Sequence, residues 1–146
     1  MSSFTPTETR AVSMLATLYV VRMLGLFMVL PLIAVYSADM TGATPFLLGL
    51  AVGAYGLTQS TLQIPMGWLS DRIDRRWVIV FGLSLLMLGS VVAALSSSIW
   101  GVIAGRFLQG AGAIASATMA LVADYTRVEQ RAKASAIIGG SIAIAF

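Results

Sequence analysis

Two residue types are missing altogether: the 146 residues contain no cysteine and no histidine. Without thiols or imidazoles there is no disulfide framework, no thiolate nucleophile, no His-based triad and no zinc site of the usual kind. The sequence therefore reads as no enzyme, and no cofactor or metal is expected. Charge is scarce too, at 10% of residues. None of the six acidic residues lies within a long apolar run. A proton-carrying carboxylate at membrane depth is thus lacking, as is the first-helix Glu expected of a compact four-helix exporter. If the protein is proton-coupled, the carrier is expected to be Asp39 or Asp124, at the boundaries of such runs, or to lie in sequence outside these 146 residues.

What is abundant is apolar. A hydrophobic share of 58% and a mean hydropathy of +0.91 lie far outside the range of ordinary soluble domains and indicate an integral membrane protein. The apolar runs at 11–36, 45–69, 77–96 and 99–123 are each about 20 residues or longer, enough to cross a hydrocarbon core as helices. A fifth run, 134–146, is too short to span, so it is expected to be the start of a fifth helix in the N-terminal piece of a longer, transporter-like protein. The first run is too long for a signal-peptide core and is interrupted by Arg22, so it is read as a span that stays.

Cations set the orientation. Arg10, the trio Arg72, Arg75 and Arg76, and then Arg127, Arg131 and Lys133 alternate with two connections that carry no Lys or Arg. The positive-inside rule places the N-terminus in the cytoplasm, with the turns around Asp39 and Ser97 outside. The net charge of +3 therefore reports topology, the partner being the lipid bilayer and not nucleic acid.

Polarity differs among the runs. The third carries nothing more polar than Ser and reads as lipid-facing, whereas the fourth is rich in Gly and Ala and reads as interior. Gly49 with Gly53, Gly101 with Gly105, and then Gly110 and Gly112 are the candidate close-packing positions. Tyr55, Gln59 and Gln63 recur every four residues along one stripe of the second run. Arg22 and Arg106 fall at membrane depth, where a guanidinium should face a watery cavity or a partner. They would either attract an anionic or polar substrate and tune a nearby acid, or bond to backbone carbonyls and pin helices together. Pro31 and Pro65 each remove a helix hydrogen bond and predict bends.

The densest charge cluster is the stretch GWLSDRIDRRWVI, residues 67–79. The order Gly67, Leu69, Asp71, Arg72, Arg75, Arg76 resembles the loop motif G-x-L-x-D-R-x-G-R-R/K of the major facilitator superfamily. RMLGLFMVLP at 22–31 is similar to the Gly-to-Pro signature of its drug and proton antiporter branch. RFLQGAG at 106–112 resembles that branch's R-x-x-Q-G-x-G through Arg106, Gln109, Gly110 and Gly112. The motif's turn glycine is Asp74 here, which predicts a slightly strained left-handed turn.

The resemblance implies an all-α fold of twelve helices in two six-helix halves, with this chain the incomplete N-terminal half. It further implies a secondary active transporter of the bacterial inner membrane that moves a small solute by alternating access, with proton-coupled efflux as the mode. Asp71 would then act as a latch on the N-terminus of a helix in the other half, closed in the outward-open state. Arg75 or Arg76 would hold that connection by pairing with Asp124, and Arg22, Arg106, Gln109, Tyr55, Gln59 and Gln63 would serve the cavity. Protons and the C-terminal half are the implied partners. The alternative is a truncated fragment or helical interaction module without transport.

Overall fold

A computed structural model describes residues 4–145. Among the described residues six helices follow one another: α1 (Pro6–Tyr36), α2 (Pro45–Arg72), α3 (Arg75–Leu95), α4 (Ile99–Ala111), α5 (Ala115–Tyr125) and α6 (Val128–Ala145). They group into a central unit, Leu30–Ala117, and a terminal unit formed by 4–29 with 118–145. The protein is an all-α polytopic membrane protein. Among the described residues three segments, Pro6–Tyr36, Arg75–Leu95 and Ile99–Tyr125, are long and apolar enough to cross a membrane. The 28 residues of α2 match them in length, but Gln59, Gln63 and neighbouring hydroxyl residues dilute its apolar character.

Helix starts follow from local chemistry. Thr5 and Glu8 form a reciprocal capping box at α1: the Glu8 amide donates to Thr5 Oγ1 at 3.3 Å and the Thr5 amide donates to Glu8 Oε2 at 2.8 Å. Thr44 caps α2 by accepting from the Leu47 amide, with Pro45 next, where its missing N–H is harmless. Asp74 caps α3, its carboxylate accepting from the Arg76 amide at 2.9 Å. The expected left-handed strain at Asp74 is not there, because its φ is −57°. Asp replaces a turn glycine here without penalty by serving as an N-cap.

The elements also shift some expected boundaries. The presumed loop between the second and third spans shrinks to Ile73 and Asp74, so Asp71 and Arg72 close α2 while Arg75 and Arg76 open α3. The last helix begins at Val128, six residues before the expected 134. Both α1 and α2 continue through their prolines. The interruption falls instead in the fourth span, where residues 112–114 separate α4 from α5. Glycine accounts for it. Gly112 leaves the helix with ψ at 43° and sits against the Gly82 carbonyl of α3, a place with no room for a side chain.

In the central unit α4 packs on both α2 and α3. A Cβ on Gly105 would lie 2.6 Å from the Gly89 carbonyl oxygen and 2.7 Å from the Ala93 nitrogen, so backbones meet directly along α3 and α4. Gly110 makes the same kind of approach to α2 at Tyr55 and Thr58. The third span is therefore not wholly lipid-facing. Its Gly82, Gly89 and Val78 side is buried while Phe81, Leu88 and Leu95 are exposed. Three of the expected packing glycines do something else. Gly49 and Gly53 have no heavy atom within 4 Å of a would-be Cβ, because α2 turns its Ala51 and Ala54 face inward; Gly101 meets only Ser96, in the turn before its own helix.

The turns that flank this unit are clasped. The Thr41 amide and hydroxyl both donate to the Ser97 carbonyl at 3.2 Å, and the Ile99 amide donates to the Thr41 carbonyl at 3.3 Å. Gly42, at φ 77°, makes the reversal that presents Thr41.

Close packing here predicts a clear ordering. Gly89→Ala and Gly105→Ala should each destabilise the detergent-solubilised protein by about 1–3 kcal/mol through overpacking. Gly49→Ala should leave it unchanged or raise its stability by up to about 1 kcal/mol through helix propensity. Thermal unfolding followed by tryptophan fluorescence checks this, and equal losses at all three positions would contradict the packing.

Candidate functional site

Three helices of the central unit converge on one polar network that is buried at Arg106 and Gln109 and reaches the exposed Ser90. Arg106 of α4 is 3% exposed and its Nε donates to the Ala51 carbonyl of α2 at 3.2 Å. Its Nη1 donates to Gln109 Oε1 at 2.9 Å, one helical turn on, and Gln109 Nε2 donates to Ser90 Oγ of α3 at 2.9 Å. The guanidinium also lies 5.0 Å from the centre of the Tyr55 ring of α2. Such an arrangement follows from the cost of a charge at membrane depth: the guanidinium recruits a carbonyl, a carboxamide and a π face, and thereby fixes helices to one another.

The stripe on α2 continues past Tyr55. Gln59 and Gln63 are half-buried, and their carboxamide oxygens are enclosed without a hydrogen-bond partner among the described residues. The Ser116 hydroxyl of α5 donates to the Gln63 main-chain carbonyl at 3.3 Å. Nearby, Gly67 lets α5 approach α2: a Cβ there would be 3.0 Å from Ser116 Oγ. Arg22 is buried as well but belongs to the terminal unit, so Arg22 and Arg106 are not brought together within one unit.

At the α2–α3 connection Asp71 is loosely held. Its carboxylate, 68% exposed, makes a single 3.3 Å ion pair among the described residues, with Arg75. Arg72 stacks 3.9 Å over the Trp68 ring and sits in the last turn of α2, where a cation complements the helix dipole. Asp124 lies near the end of α5, in the terminal unit. Sequence reading missed Ser90, Gly82 and Gly89. The only signal for them was small residues spaced along an otherwise greasy helix.

Long apolar helices, glycine-mediated packing, buried arginine and paired charges at a helix connection together define a polytopic membrane protein. The chain belongs to the Major Facilitator Superfamily, whose pattern it matches over residues 15–146. It is 56% identical over 142 residues to the inner membrane transport protein YajR of Escherichia coli, covering 97% of this chain and 31% of that protein. It is 48% identical over 128 residues to an uncharacterized transporter of Buchnera aphidicola subsp. Schizaphis graminum, covering 88% and 33% of the two chains. Multidrug resistance protein D of Escherichia coli is 42% identical over 69 residues, 47% of this chain and 18% of that one. The chain thus spans about a third of the length of the first two relatives.

Loss of the carboxamide should test the network. Gln109→Leu leaves a buried donor of Arg106 without its acceptor, while the exposed Ser90 hydroxyl still donates to the Leu86 carbonyl at 2.8 Å, and is expected to destabilise by about 1–3 kcal/mol. Ser90→Ala removes only the outer link and should cost less. Denaturation midpoints of the purified variants measure both, and a Ser90→Ala loss exceeding that of Gln109→Leu would refute the order.

Proposed function

We propose that the chain is the N-terminal part of a secondary active transporter, not an enzyme, that moves a small solute across the bacterial inner membrane by alternating access. The N-terminus and the α2–α3 connection face the cytoplasm, as the distribution of Arg and Lys supports. Proton-coupled efflux is the mode that the resemblance to the drug and proton antiporter branch implies, and the name of Multidrug resistance protein D supports its efflux part. Arg22, Arg106, Gln109, Tyr55, Gln59 and Gln63 serve the cavity, with the Arg106 network also holding its wall. Asp39 and Asp124 are the acids of this chain placed for proton exchange, outside the apolar runs.

The observation that carries the proposal is the state of Asp71. A carboxylate that is largely exposed and bonded once, at 3.3 Å, keeps acceptor capacity for a further partner. That partner is the N-terminus of a helix in the other half of the transporter, which attracts negative charge and departs when the cytoplasmic ends separate.

The latch is tested by Asp71→Asn in the full-length protein. A carboxylate at a helix N-terminus is worth about 1 kcal/mol, so its loss should shift the population roughly fivefold toward the inward-open state. Cysteine labelling from each side of the membrane reads that shift. Unchanged accessibility on both sides would remove the latch.

A further inference from the structure

A second carboxylate of the chain stands in the opposite condition. Glu8, in the first turn of α1, is 4% exposed. Its Oε1 accepts from the Arg127 amide at 2.9 Å and from Arg127 Nε at 3.0 Å. Its Oε2 accepts from the Thr5 amide at 2.8 Å and from Arg127 Nη2 at 3.0 Å. Each oxygen thus carries two donors, which fills the acceptor capacity of the carboxylate. Arg127 presents its guanidinium as a two-pronged fork and adds its own main-chain N–H, across 119 residues of sequence. The carboxylate in turn holds the Arg127 guanidinium above its ordinary range.

Neighbouring contacts tie the same parts. Lys133 of α6 lies 4.9 Å over the Phe4 ring, and Arg131 Nη2 donates to the Ala123 carbonyl of α5 at 3.1 Å. The beginning of α1, the end of α5 and the beginning of α6 are therefore cross-linked by charge within the terminal unit.

We propose that Glu8 and Arg127 form a staple that stays closed throughout the transport cycle and makes the start of α1 and the α5–α6 turn one moving piece. The argument is one of saturation. Opening the pair would expose or strand a buried carboxylate that has lost three of its four donors, and no rearranged partner could replace both the fork and the main-chain N–H at once. Asp71, exposed and bonded once, has no such barrier and is free to exchange partners. This proposal builds on the alternating-access reading, adding which part of the inner face does not move.

The test uses the full-length transporter with its only cysteines at positions 7 and 128, both exposed in this chain, each carrying a nitroxide label. The expected result is one interlabel distance, the same in the native protein and in Asp71→Asn, and a broadened distribution in Glu8→Ala. Arg127→Lys, which keeps the main-chain bond and the charge but loses the fork, should broaden it less and guards against a variant that fails to fold. A changed distance in Asp71→Asn, or an unbroadened one in both staple variants, overturns the proposal. Labelling of Ile73→Cys by a membrane-impermeant maleimide separates the two readings. If Asp71→Asn leaves that labelling unchanged, the latch has failed and the staple stands or falls on the staple variants alone.

Discussion

The constraint that organises this chain is the absence of water along its spans. A charge or a polar side chain placed there must find its partners inside the protein. Arg106 shows how that requirement becomes architecture. Its donors reach a main-chain carbonyl on α2 and a carboxamide on its own helix, and the carboxamide passes the link to Ser90 on α3. A hydrogen-bonded chain of that reach requires helices to stand very close. Gly89, Gly105 and Gly110 provide the proximity by leaving space where side chains would have kept backbones apart. Polar satisfaction and glycine packing are thus one device, since neither the network nor the close approach could form without the other.

Much of this was legible one residue at a time. Span lengths, the alternation of cations and the charged connection follow from composition and spacing, because lipid imposes length and topology on any sequence that crosses it. The choice of face was not legible. Gly49 and Gly53 have the same spacing as Gly101 and Gly105, yet the first pair faces outward, Gly101 meets a turn and only Gly105 meets another helix. Spacing says that a small-residue stripe exists and not what stands opposite. Asp74 was misread for a related reason: a family position occupied by glycine suggests left-handed geometry, while the next residues of this chain start a helix that an Asp can cap. The break at 112–114 was likewise invisible, because it arises from the Gly82 backbone of another helix pressing against Gly112.

Long-range pairs are the hardest to read. Glu8 could be recognised as the third residue of a capping box, with Thr5 as its partner, and that local explanation is complete in itself. Nothing in it announces Arg127, which enters only after the chain has crossed its spans and returned. A side chain that already has a sufficient local reason gives no sign of a distant one.

The acids at helix ends then differ in a way that sequence cannot encode and geometry can. Asp74 accepts from an amide two residues on and belongs wholly to its own helix. Glu8 accepts four donors and joins α1 to the α5–α6 turn. Asp71 accepts one, from a cation on the next helix, and stays mostly in solvent. All three are carboxylates with the same intrinsic chemistry. What separates the cap from the proposed staple and the proposed latch is how much acceptor capacity is already taken: a filled carboxylate resists every change of partner, whereas an underused one can be claimed and released with little loss. On the alternating-access reading proposed above, the fixed joints should therefore carry the saturated acids, and the moving contact should fall to the acid with lone pairs to spare.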